Sequence, residues 1–286
     1  MKLLRHGPKG HERPAALDAQ GRVRDLSSLL VDITPAVLTP ASLQRLRGVD
    51  LASLPEVPQE RLGVPWAGMG KFVCIGLNYA DHAAEAGMAI PAEPVVFMKP
   101  TSAAVGAEHP VVLPIDATKG DWEVELGVVI GSTARCVDEA EALAHVAGYC
   151  VVNDVSERAL QLERGGTWDK GKGCDTFGPV GPWLVTADEI ADPQALDLWL
   201  ELNGQRVQTG NTRTMVFGVA KLIAYLSRIM TLYPGDLIST GTPPGVGMGM
   251  KPPRFLQPGD TMRLGVAGLG EQFQTVHAWN PELVDA

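Results

Sequence analysis

The 286-residue sequence lacks any apolar run long enough to cross a membrane. Its first residues, Met1 to Pro8, hold no extended apolar stretch of the kind a secretory leader carries, so the expected location is the cytoplasm. Cysteine is scarce. Cys74, Cys136, Cys150 and Cys174 form no Cys-x-x-Cys pair and no zinc spacing, which reads as reduced thiols rather than a disulfide framework. Positive charge is in deficit: the net charge of −9 argues against nucleic acid and anionic membranes as partners. A small anionic substrate stays open, because a local metal or basic cluster can dominate its own pocket. There is no internal repeat, and no nucleotide fingerprint either. Gly245-Val246-Gly247 runs towards Pro252-Pro253, not into a helix.

Glycine and proline are plentiful, at 32 and 22 residues. They predict many turns and a β-rich body with long shaped loops. The length suits one large domain, or one domain with a small appendage. Residues 1–68 read as a small N-terminal domain and 69–286 as the main one. In the former, Leu17 to Val23 reads as strand, turn and strand about Gln20-Gly21. Pro40 to Leu46 reads as a short helix with Thr39 as its cap. The proline-spaced stretch from Leu54 to Pro65 reads as a linker.

The main body is organised around Asp121 to Gly131, where acid and apolar residues alternate and then give way to a β-branched run. As one strand, this stretch places Asp121, Glu123 and Glu125 on one face. Carboxylates so close repel one another, and a buried one resists ionisation unless it is paired or holds a metal. A hard divalent cation such as Mg2+ or Mn2+ relieves both problems; a solvated acidic edge is the plainer alternative. Tyr149 to Val152 reads as a buried strand leading to Asp154, a third carboxylate if the two strands are neighbours, or otherwise a helix cap. A helix running on from Asp154 carries Arg158 and Gln161 on the same face.

Lys71 to Gly76 is a buried strand, and Leu77 to Gly87 follows as a short alanine-rich helix stopped by Gly87. On it His82 and Glu85 are three apart, the arrangement of a carboxylate-supported general base, although a surface His–Glu turn has the same spacing. Pro94 to Lys99 is an apolar strand ending in lysine, and Asp138 to Val146 a helix with Gly148 beyond its end. Gly165 to Pro179 is a long glycine-rich loop. Its Lys170 or Lys172 is placed to hold the charge of an enolate, and the residues alone do not choose between them. Leu196 to Asn203 is a strand. Val216 to Met230 is an amphipathic helix with a core stripe at Val219, Leu222, Ile223, Leu226 and Met230. Ser239 to Gly249 is a loop whose glycines let a ligand approach backbone N–H groups.

Taken together, these pieces resemble the fumarylacetoacetate hydrolase family, in its bacterial branch of acylpyruvate hydrolases, sugar-acid hydrolases and ureidoglycolate lyases. The resemblance rests on Gly76-Leu77-Asn78-Tyr79 with His82 and Glu85, Trp122 to Leu126, Asn153 to Arg158, Trp168 with Lys172 and Asp175-Thr176-Phe177, Gly210-Asn211-Thr212, and Ser239 to Pro243. These occur in the family's order and span residues 72 to about 280.

The resemblance implies a β-rich α+β roll of mixed sheets, usually dimeric, and roles for individual residues. Glu123, Glu125 and Asp154 match metal ligands for Mg2+ or Mn2+, which removes Asp121 from the ligand set. His82 and Glu85 match a catalytic pair on a lid helix, and Lys172, not Lys170, matches the site lysine. Tyr79, Arg158, Gln161, Gly241 and Thr242 match substrate-binding positions. The implied reaction is hydrolysis of a C–C bond in a 2,4-dioxo acid, an acylpyruvate or a 2,4-diketo-3-deoxy sugar acid. The Thr240–Gly249 loop is expected to hold the substrate carboxylate or oxyanion. Ureidoglycolate cleavage, oxaloacetate decarboxylation and isomerisation of 2-hydroxyhepta-2,4-diene-1,7-dioate suit the same site. A non-catalytic sensor of 2-oxo acids is the reading from another class, and the intact His82 and Glu85 count against it.

Overall fold

In the computed structural model, residues 1–58, 60–85 and 89–285 are described, except for the side chains of residues 82–84. The chain begins with strands β1 (Lys2–His6), β2 (Arg13–Leu17) and β3 (Val23–Asp25) and helix α1 (Pro40–Arg47). There follow β4 (Phe72–Gly76), α2 (Ala80–Glu85), β5 (Val95–Lys99), β6 (Ala104–Gly106), β7 (Val111–Val112), β8 (Gly120–Asp121) and β9 (Val124–Ile130). Next are α3 (Glu139–Ala142), β10 (Val146–Asn153), β11 (Ser156–Glu157), α4 (Arg158–Leu162), α5 (Asp169–Lys172) and β12 (Gly178–Thr186). The remainder comprises β13 (Asp197–Leu202), β14 (Gln205–Asn211), α6 (Val219–Ile229), β15 (Leu237–Ser239), β16 (Thr261–Val266), β17 (Gly270–His277) and α7 (Pro281–Val284).

A large mixed sheet runs in the order β3-β2-β1-β12-β10-β9-β15-β4-β5, with β6 alongside β12. A smaller sheet runs β14-β13-β16-β17-β7. Side-chain alternation on β9 explains the layering. Val124, Leu126, Val128 and Ile130 point into a core shared with Leu198 and Leu200 of β13, Leu264 of β16, and Leu222 and Leu226 of α6. Val129 joins the opposite core, with Leu3, Leu38, Trp66 and Phe72. Val219, Leu222, Ile223 and Leu226 of the expected stripe pack as their spacing predicts; α6 is shorter than the expected 216–230, and Met230 lies beyond its end in extended backbone, half-buried against the same core.

Residues 1–68 share sheet and core with the body: β1 pairs antiparallel with β12, Leu3 opposite Leu184. The turn between β2 and β3 forms because Asp18 accepts from the amides of Gln20 and Arg22 at 2.9 Å each. Thr39 precedes α1 without capping it, because its hydroxyl donates backwards to Ala36 O at 3.2 Å.

The helix expected over 138–146 is shorter. α3 ends at Ala142, a single 3-10 turn follows, and Val146 already belongs to β10. Gly148 is not a helix stop but lies inside the strand, where a Cβ would strike the carbonyl of Val185. The expected helix over 77–87 is α2; Gly87, its proposed stop, lies outside the described residues.

Candidate active site

β9 and β10 run antiparallel with Val152 opposite Glu125 and Asn153 opposite Val124. The Asp154 amide then donates to the carbonyl of Glu123 at 2.9 Å. This register brings Glu123, Glu125 and Asp154 together. One oxygen from each lies within 4.8 Å of the others, and all three residues are buried.

Neither Asp121 nor Glu123 shares a strand with Glu125. The chain leaves β8 at Asp121 and enters β9 only at Val124, so the single acidic strand read from the alternation is broken. Asp121 instead accepts from the amides of Trp122 (2.9 Å), Gly247 (2.7 Å) and Met248 (3.0 Å) and from Arg158 Nε (2.9 Å). Four donors leave it no reason to be a metal ligand. Asp121→Ala would strip Arg158 of this buried partner, and about 3 kcal/mol or more of stability should be lost, read from the urea midpoint.

Three cations meet the carboxylates. Lys172 Nζ lies 2.8 Å from Glu123 Oε2 and 2.8 Å from Asp154 Oδ2. Arg158 reaches Glu123 Oε1 at 2.7 Å and donates to Gln161 Oε1 at 3.0 Å. Lys99 Nζ lies 2.7 Å from Asp154 Oδ1 in charge contact, yet no donor is aligned for a hydrogen bond to that oxygen. Lys99 also donates to the carbonyls of Val155 and Lys172, tying the loop to the strand end. Glu125 accepts from Ser239 Oγ at 2.6 Å and from the Gly241 amide at 2.9 Å.

Burial pushes the Glu125 carboxyl well above the usual carboxylate range, and the charges of Asp154 and Glu123 push it further. Burial opposes the Lys172 ammonium, but Asp154 and Glu123 outweigh it and raise its pKa. An all-oxygen donor set with one carboxyl reluctant to ionise, and Asp154 Oδ1 lacking an aligned donor, fits a hard divalent cation. Glu123, Glu125 and Asp154 are the residues that would hold it.

A cleft of about 80 Å³ opens beside these groups. Glu123, Glu125, Arg158, Gln161, Lys172 and Thr242 line its polar side. Lys172 is buried and lines the cleft, whereas Lys170 is exposed and donates to the Arg164 carbonyl. Arg158 and Gln161 arrive together, but on α4, which starts at Arg158 and is capped by the Glu157 carboxylate; no helix runs on from Asp154. The Thr242 hydroxyl donates to Val124 O and accepts from Gln208, both at 2.9 Å.

Tyr79 does not line the cleft. It is fully buried in the core next to the smaller sheet, where burial raises its phenol well above the ordinary range. Gly241 acts through its amide on Glu125 and not on the cleft itself. His82 lies on α2, and its side chain is outside the described residues. Glu85, on the same helix, accepts from the Gly245 amide at 3.0 and 3.1 Å.

The glycine loop differs most from expectation. Its amides at Gly241, Gly245, Gly247 and Met248 serve Glu125, Glu85 and Asp121. They satisfy the protein's own carboxylates and do not form an oxyanion cradle. Lys99 and Ser239 escaped the sequence reading. Lys99 was legible in part: it shares the buried face of β5 with Phe97, two residues away, and a lysine there needs a partner.

The fold and the site together define an enzyme of hydrolase or isomerase type. The chain belongs to the fumarylacetoacetate hydrolase family: the family described as fumarylacetoacetate (FAA) hydrolase C-terminal matches residues 71–277. A Burkholderia ambifaria protein carrying only the provisional name of a hydrolase is 64% identical over 277 residues, covering 96% of this chain and 98% of that one. Maleylpyruvate hydrolase from Sphingobium sp. SYK-6, solved with manganese(II) and pyruvate, superposes with a TM-score of 0.82 at 30% identity, over 98% of this chain and 100% of the other. The 2-hydroxyhepta-2,4-diene-1,7-dioate isomerase of Mycobacterium marinum gives 0.75 at 33% identity, over 97% and 98%. Among the described residues no helix is long and apolar enough to cross a membrane.

Proposed function

We propose that the protein is a divalent-metal-dependent hydrolase that cleaves the C3–C4 bond of a 2,4-dioxo acid, releasing pyruvate and a carboxylic acid. The observation that carries this reading is the convergence of Glu123, Glu125 and Asp154 with Lys172 and Arg158 at one buried cleft. The manganese and pyruvate in the Sphingobium hydrolase support it. Bound Mg2+ or Mn2+ would orient a 2-oxo acid and polarise its ketone.

The chain's own residues do the rest. His82, supported by Glu85, takes a proton from water, whose oxygen adds to C4. As C3–C4 breaks, the electron pair moves towards the C2 oxygen, and the Lys172 ammonium stabilises the charge developing there. C3 then takes up a proton, and the acyl fragment leaves as the acid. Arg158 holds Gln161 against the cleft through its 3.0 Å bond.

The test is turnover of a simple acylpyruvate, followed by ultraviolet loss of its enol, on metal-stripped protein with and without added Mg2+ or Mn2+. Metal-dependent release of pyruvate is expected. No release from protein shown to have bound the metal overturns the hydrolase reading and directs assays to the isomerase substrate. His82→Ala should keep metal affinity and lose about two to four orders of magnitude in kcat, the range for a general base. Full activity in that variant would remove His82 from the mechanism.

A further inference from the structure

Beside its polar groups the cleft has an apolar wall. Leu77, Phe97, Leu162, Trp168 and Met248 form it, and the Phe97 ring centroid lies 5.0 Å from the Lys172 ammonium. Phe97 and Trp168 pack edge to face with centroids 5.4 Å apart. A Cβ at Gly76 would strike the Trp168 ring, so the strand end is fitted to that ring. Leu77 holds a φ of 53°, a left-handed conformation that a non-glycine residue adopts at a cost. A leucine kept there at that cost supplies apolar surface to the wall. Leu162, 49% exposed, marks the mouth.

The cations are equally telling. Among the described residues lining the cleft, only Arg158 and Lys172 are basic, and each is already held by two carboxylates. The segment from Leu77 to Met98, which includes α2, contains no lysine or arginine. It carries Asp81, Glu85 and Glu93 instead, and its one histidine, His82, is the proposed base. A second carboxylate on a substrate would leave water to face an apolar wall, with Arg158 and Lys172 already engaged by carboxylates of the protein. Sugar hydroxyls would meet the same wall without hydrogen-bond partners.

We infer that the substrate is a monoanionic 2-oxo acid whose far end is apolar, an acylpyruvate with an alkyl or aryl acyl group and neither a dicarboxylate nor a sugar acid. The inference rests on the reading of this cleft as a 2-oxo acid site. It differs from that reading in what it demands of the far end.

Binding separates the two. Calorimetry on the Mn2+-loaded protein compares 2-oxohexanoate with 2-oxoadipate, which have the same chain length and differ by a terminal carboxylate. 2-Oxohexanoate should bind at least about tenfold tighter. Equal or reversed affinities, or failure of 2-oxohexanoate to bind, overturn the inference. Leu162→Lys places a cation at the mouth and should shift the affinity ratio about threefold or more towards the diacid. An unchanged ratio means the far end does not lie along this wall, and also overturns it. Neither ligand can be cleaved between C3 and C4 by the proposed route. The acylpyruvate assay therefore decides the hydrolase reading independently: pyruvate release with equal affinities would leave the reaction standing and remove only the substrate class.

Discussion

Glu123→Ala is expected to abolish divalent-metal binding and activity together. Glu123 contributes one of the three ligand-ready oxygens, and it also faces two cations, Arg158 at 2.7 Å and Lys172 at 2.8 Å. Its removal subtracts a ligand and leaves both cations beside the remaining acids. Lys172 then falls wholly to Asp154, which it already touches at 2.8 Å. A metal ion would meet fewer oxygens and less negative charge. Loss of a group merely behind a metal ligand typically costs 10–100-fold in affinity, so loss of the ligand itself should weaken Mn2+ binding by more than about a hundredfold. Titration calorimetry reads the affinity and pyruvate release reads the activity. Glu123→Gln, which keeps the volume, separates charge from packing: it should lose metal nearly as completely while melting closer to the parent. A variant that binds Mn2+ as the parent does would show that Glu123 is not a ligand.

How far the sequence foretells this site depends on whether the information is local. The pairing of Glu123 with Glu125 was legible in the alternation, although Glu123 stands in the break just before β9, where the Asp154 amide holds its carbonyl. Asp154 needed the neighbouring strand, and the exit of an apolar run was enough to nominate it. Asp121 was misread for a physical reason. Alternation continues through it, but the chain changes sheets between Asp121 and Val124, and the partners that claim Asp121 come from 37 and 126 residues away. The glycine loop was misread in the same way. Its glycines do expose amides, as composition predicts, but which acceptors reach them is set by tertiary packing. The helix over 138–146 tightens into a 3-10 turn at Leu143–His145 and yields Val146 to β10, where pairing with Ile130 gives sheet bonds that a short helix cannot match. Lys170 and Lys172 are indistinguishable by local pattern. The turn of α5 alone exposes one and buries the other.

Lys172→Met separates the roles of this lysine most sharply, because affinity and rate should move in opposite directions. The ammonium sits 2.8 Å from an oxygen of Glu123 and 2.8 Å from one of Asp154, two of the three candidate ligands. Any divalent ion must share those carboxylates with it, and like charges so close repel. Replacing the ammonium with an apolar group of similar length should therefore leave Mn2+ affinity unchanged or raise it. The metal-free protein should lose about 3–5 kcal/mol of stability, since two buried carboxylates lose a shared counter-ion. Added Mn2+ should restore much of that, so the melting point of the variant should respond more steeply to metal than that of the parent. The rate should fall nonetheless. A donor aimed at developing charge in a dry site contributes about a hundred- to a thousandfold to kcat, and methionine has none to offer. Lower kcat with equal or tighter Mn2+ binding places Lys172 on the reacting substrate. Loss of metal together with rate would make it a support for the ligands instead.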